Sequence, residues 1–167
     1  SRISGFFYVC CKCYSKSAIA CLSLSGMLST TKLNELSIKL ASFETEGAQF
    51  ESFVIANEGE QDVLQVIVDG NDELPIFVTQ TEEQLVCISY LFKESEVKAE
   101  LVAELNEALL RLNVPVPLSA FAKIDDQYAI FGALAVSSSI DEITHELVTL
   151  ADNAIDALDA VTMYLND

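Results

Sequence analysis

The chain has 167 residues, of which 51% are hydrophobic, and its 26 acidic and nine basic residues give a net charge of −17. Such an excess of carboxylates repels phosphate backbones and anionic lipid headgroups, which argues against nucleic acid and acidic membrane surfaces as partners. No apolar run reaches the roughly 18 residues that a membrane-spanning helix needs. The length suits one domain with a sizeable hydrophobic core.

The composition changes abruptly at Met27. Residues 1–26 carry three basic residues, no acidic residue and four of the five cysteines, whereas residues 27–167 carry six basic residues against all 26 acidic ones. We therefore predict a non-domain leader over 1–26, either translated from upstream, a tag or an anchor-like segment, and a single acidic domain over 27–167. Lys12 and Lys16 interrupt the apolar core that a secretory signal requires, and the cysteines lack the paired spacing of a structural zinc site.

The first half of the domain reads as one helix followed by four strands. Leucines at 3-4 spacing predict a helix over Thr31–Phe43. The period then changes to two, which predicts strands over Phe50–Ala56, Val63–Asp69, Pro75–Gln80 and Leu85–Phe92. Polar turns separate these strands, and the last strand is apolar on both faces, as expected of a central strand.

The second half adds a helix, two strands and a long helix. An apolar stripe predicts a helix over Glu96–Leu112, which Pro115 and Pro117 bring to an end. Two strands follow near Phe121–Ile124 and Tyr128–Val136, where Gly132 indicates a bulge or a close backbone approach. Ser139 and Glu142 form a capping box that starts a third helix, whose stripe runs from Ile143 to Leu165.

The order α-ββββ-α-ββ-α predicts an α+β domain with a largely antiparallel sheet and three helices. This order of elements is similar to that of type III secretion chaperones, which are small acidic homodimers that bind segments of client proteins. Fold alone does not fix function. We expect a dimer, because the apolar face of the third helix is wide enough to contact a second subunit.

The candidate functional residues are apolar positions on two helices. An exposed stripe for partner binding is predicted at Leu101, Leu105 and Leu109 of the second helix, and at Val148 and Ile155 on the outer face of the third. This prediction describes a non-catalytic binding, adaptor or chaperone-like protein with no cofactor.

The alternative is a carboxylate- or divalent-metal-dependent enzyme. Asp152, Asp156 and Asp159 share one face of the third helix, where a cation could bridge them, although such a row is more often only solvated. Cys87, within an apolar strand, is typical of a small buried hydrophobe. His145 is the only histidine, and no nucleophilic triad has recognisable spacing.

Four segments resemble the YjfI-like bacterial proteins of unassigned function. They are Leu74–Phe77, Leu91–Val97, Pro117–Phe121 and Tyr128–Leu134, the last leading into the long acidic helix. The resemblance covers about residues 28–165 and implies a cytoplasmic protein without known catalytic residues. It also implies an envelope-stress context with a PspA-like partner, because family members are encoded near relatives of that protein.

Overall fold

The computed structural model describes residues 22–43, 47–56 and 61–166, and for the first helix it describes side chains from Lys32 onward. The elements in these ranges are α1 Leu22–Ala41, β1 Phe50–Ile55, β2 Val63–Val68, β3 Ile76–Gln80, β4 Gln84–Lys93, α2 Val102–Leu112, β5 Ala120–Ile124, β6 Gln127–Ala135 and α3 Ile140–Val161. The six described strands form one antiparallel sheet in the order β1-β2-β3-β4-β6-β5. With the three described α-helices, they confirm the predicted α+β class and the order α-ββββ-α-ββ-α.

The first helix is longer than predicted. It begins at Leu22, nine residues before the predicted start, and ends at Ala41. One helix therefore runs across Met27, where the composition changes, and the division into leader and domain stays a prediction. The cysteines at positions 10, 11, 13 and 21, and residues 57–60 between the first two strands, lie outside the described residues.

All three helices cover the same face of the sheet. Leu33 and Leu36 of α1 pack with Leu147 and Leu150 of α3 in one buried cluster, against alternate residues of β2, β3 and β4. A second cluster joins α2 to the β4–β6 end of the sheet and to the end of α3. The period-two pattern of the strands is thus explained by one face turned toward helices.

The third helix begins at the predicted capping box and carries the predicted apolar stripe. Ser139 Oγ accepts a hydrogen bond from the Glu142 backbone, and the Glu142 carboxylate accepts one from Ser139 N at 2.7 Å. The α-helix ends at Val161, where a short 3₁₀ turn over Thr162–Tyr164 and a bridge between Val97 and Leu165 close the domain. The predicted stripe therefore packs along one continuous helix and its 3₁₀ extension.

Candidate protein-interaction surface

The predicted binding stripe on α2 faces the core. Leu105 and Leu109 are buried and pack with Phe92 and Tyr128 of the sheet, and Leu101 is half-buried. The exposure that the prediction required is therefore wrong for Leu105 and Leu109. The reason is that α2 has leucines on two faces, and the face that carries Leu105 and Leu109 packs against the sheet.

The predicted stripe on α3 is only partly exposed. Val148 is half-buried against the main cluster, and Ile155 is 44% exposed. The structure does not bring these two residues together with the α2 leucines as one surface. Their role in partner binding stays a prediction.

The exposed apolar residues lie instead at the end of α2 and in the segment that leads to β5. Leu110 is 70% exposed, Val114 is 88% exposed and Leu118 is 57% exposed. Pro115 and Pro117 between them are also exposed. We call these five residues the 110–118 surface. Single exposed apolar residues are ordinary, whereas contiguous exposed apolar patches mark contact sites.

The segment that carries this surface is irregular for a local reason. Proline has no backbone N–H to donate and disfavours a helical conformation in the residue before it, so Pro115 and Pro117 prevent α2 from continuing. The chain makes a last helical turn, in which Val116 N donates to Leu112 O at 3.2 Å, and then turns toward β5. Val116 itself points inward and packs against the main cluster.

Two asparagines fix this segment to the rest of the domain. Asn113 Oδ1 accepts a hydrogen bond from Phe121 N at 2.6 Å, which ties the end of α2 to β5. Asn153 of α3 donates from Nδ2 to Pro117 O and to Ser119 Oγ, both at 2.9 Å. The second asparagine therefore holds the chain on both sides of Leu118.

Leu118 adopts an unusual backbone conformation. Its φ is +57°, in the left-handed region, where a side chain crowds the following carbonyl at a cost of about 1–2 kcal/mol. Its side chain is nevertheless largely in solvent, so little burial offsets this cost. Strained residues held in place by their surroundings are concentrated at functional sites, and this one displays an apolar side chain outward.

A buried carboxyl group lies beneath Leu118. Glu146 of α3 is only 3% exposed, and its Oε1 has no hydrogen-bond partner among the described residues. A Cβ atom at position 132 would overlap this carboxylate, with Cδ at 2.8 Å, and would lie 3.2 Å from Leu118 O. Glycine at position 132 therefore leaves the space that Glu146 and the Leu118 carbonyl occupy, which confirms the predicted close approach.

Two buried titratable groups, Glu146 and Cys87, lie near each other in the domain. Burial raises the pKa of Glu146, and the nearby His145 opposes that shift. Burial, with a smaller contribution from Glu146, raises the pKa of the Cys87 thiol to about 12. A thiol with that pKa stays protonated at neutral pH and is a poor nucleophile. Cys87 is fully buried in the main cluster, as predicted.

No metal centre is found in the described ranges. Asp152, Asp156 and Asp159 are exposed on α3, and no group of three or more histidine, cysteine or acidic side chains in the described chain is placed to hold a metal ion. The metal-dependent alternative therefore has no site at these three aspartates.

A cavity of about 220 Å³ lies between α1 and the start of α3. Lys32, Glu35 and Lys39 line it together with apolar side chains, and Glu146 is not part of its lining. The converging acidic groups that a carboxylate enzyme would need are therefore not found in this cavity.

Comparison with known proteins places the chain in a family. Residues 30–165 match the family described as "Uncharacterized protein conserved in bacteria (DUF2170)". The chain belongs to this family. It is also 30% identical over 105 residues to the uncharacterized protein YjfI of Escherichia coli strain K12, covering 59% of this chain and 77% of that protein. The YjfI protein of Escherichia coli O157:H7 matches to the same extent. The resemblance to YjfI-like proteins is thus confirmed.

Among solved structures, the chain is similar to the crystal structure of the ExsC–ExsE complex. The match has a TM-score of 0.44 and 12% sequence identity, and it covers 75% of this chain and 90% of that one. No helix in the described ranges combines the length and apolar character of a membrane span.

Sequence reasoning missed the residues that build this surface. The clearest available signal was the stretch Val114-Pro115-Val116-Pro117-Leu118, which is apolar although prolines exclude it from a helix. Asn153 gave no signal, because its partners lie 36 and 34 positions away.

Proposed function

We propose that this DUF2170 protein is a non-catalytic binding protein that holds a segment of a partner protein on its 110–118 surface. The observation that carries this proposal is Leu118, an exposed apolar residue in a strained conformation held on both sides by Asn153. Strain without burial contributes nothing to folding, so a role in contact explains its presence better than a role in the core.

The neighbouring residues support the same role. Leu110 lies one helical turn before Val114, so the two side chains share a side of the chain, and the prolines add rigid apolar area between Val114 and Leu118. Rigid apolar side chains lose little conformational entropy on binding, which favours affinity. Cys87 and Glu146, two buried groups with raised pKa values, do not line the cavity beside α1.

The homodimer is proposed from the outer apolar side of α3, and the specific partner, cellular context and location are proposed from the family resemblance. A homodimer would use the outer side of α3 around Ile155, which is separate from the 110–118 surface. The PspA-like partner, the envelope-stress context and the cytoplasmic location are implied by the YjfI-like resemblance. Sedimentation of the purified chain at high concentration tests the dimer, which a strict monomer would contradict.

Photo-crosslinking tests the proposed surface. A benzophenone amino acid replaces Leu118 in one variant and Ile38, an apolar residue of α1 that is 71% exposed, in a matched control. We expect a covalent adduct with another protein from position 118 in the bacterial host and none from position 38. Absence of an adduct at 118, or equal adducts at both positions, would overturn the proposal. An adduct only with a second copy of the chain would replace the partner protein with a homodimer.

A further inference from the structure

The charges around the 110–118 surface indicate what kind of partner fits it. Asn153, which holds the surface, is directly preceded on α3 by Asp152 and followed one turn later by Asp156. Both aspartates are exposed, and neither forms an ion pair with a described residue. The helix that holds this segment through Asn153 therefore carries two exposed carboxylates within one turn of that residue.

The basic residues that the structure places form no ion pair with Asp152 or Asp156. Arg111, the basic residue within the 110–118 stretch, pairs with Glu107 of its own helix. Lys123 pairs with Glu94, and Lys98 donates to Met163 O. Lys32 and Lys39 lie at the cavity beside α1. Asp152 and Asp156 therefore have no ion-pair partner among the described residues and are available to basic side chains of a partner.

We infer that the partner segment is apolar with flanking lysine or arginine residues. This inference rests on the proposed function. Its apolar side chains would pack against Leu110, Val114 and Leu118, while its basic side chains reach the two aspartates. Complementary charges at the rim of an interface mainly set its specificity and association rate, and salt weakens them. Exposed charge pairs contribute modestly, so we expect the apolar contacts to provide most of the affinity.

Selection from a random 12-residue peptide library displayed on phage tests the inference. The full chain is the target, and a Leu110→Ser/Leu118→Ser variant is the counter-target. Both substituted positions are exposed, and circular dichroism verifies that the variant folds. We expect enriched peptides that combine apolar residues with at least two lysine or arginine residues and that bind the variant at least tenfold more weakly.

Variants that remove acidic charges test whether Asp152 and Asp156 contribute to peptide binding. Asp152→Asn/Asp156→Asn should weaken the binding of these peptides about threefold to tenfold at low salt. Asp72→Asn/Glu73→Gln changes the net charge equally in the β2–β3 turn, and β3 lies three strands from β5, so it should have little effect. Peptides that need the surface but carry no basic excess, or that respond equally to both charge variants, would overturn the inference and leave the proposed function intact. Peptides that bind the Ser variant equally, or no enrichment at all, would overturn both.

Discussion

Replacing Gly132 with alanine provides a stringent test of the packing beneath Leu118. The added methyl group would overlap the Glu146 carboxylate and press against Leu118 O at 3.2 Å. Overpacking of this kind costs about 1–3 kcal/mol, whereas exchanging a strand glycine for alanine returns about 0.5–1 kcal/mol of backbone entropy. We therefore expect a net loss of about 0.5–2 kcal/mol in the free energy of unfolding. In a domain of this size, that loss lowers Tm by about 1–8 °C.

A double-mutant cycle isolates the contact. Glu146→Ala removes the carboxylate, so Gly132→Ala should cost much less in that background, with a coupling energy of about 0.5–3 kcal/mol. Urea unfolding at pH 7, followed by circular dichroism, measures all four proteins. If Gly132→Ala is as stable as the parent, or costs the same with and without Glu146, the described packing is wrong.

Three further predictions concern the same region. Glu146→Gln should become more stable relative to the parent as pH rises. The folded-state pKa of Glu146 is raised above the unfolded value of about 4.3, so the parent loses folding free energy as pH rises from the unfolded-state pKa through the folded-state pKa, whereas glutamine does not titrate. Parallel stability–pH curves for the two proteins, measured by urea unfolding, would contradict this. Leu118→Gly removes the left-handed strain, so it should leave stability unchanged or raise it by up to about 1 kcal/mol while abolishing binding of the selected peptides; retained binding would contradict the assigned role. Asn153→Ala should lower stability by about 1–3 kcal/mol and speed amide exchange at Ser119, because both hydrogen bonds around Leu118 are lost; unchanged exchange by NMR would refute the clamp.

The fold was largely readable from sequence, because its elements have strong periodicity. The strands and α3 are bounded by turn residues and a capping box, and their limits lie within about two residues of the prediction, except that α3 passes into a 3₁₀ turn before Leu165. The start of α1 was missed because residues 22–30 contain glycine and several serines and lack a clear 3-4 stripe. The predicted start at Thr31 is accordingly nine residues too late.

The functional surface was less accessible to sequence reasoning. Apolar spacing identifies an amphipathic helix, but it cannot decide which of two leucine-bearing faces of α2 turns inward. Leu109 is buried and its neighbour Leu110 is exposed, a difference set by the contact of α2 with Phe92 and Tyr128. The burial of Glu146 likewise depends on Gly132 of a distant strand, which periodicity along one helix cannot reveal.

Hydrogen–deuterium exchange tests the central claim most directly. The full chain is compared with and without the protein that crosslinks at position 118. The proposed binding mode predicts slower exchange in residues 110–121 and around Asn153, with α1 unchanged. Slower exchange confined to residues 32–39, beside the cavity, would show that the partner binds elsewhere and would contradict the account.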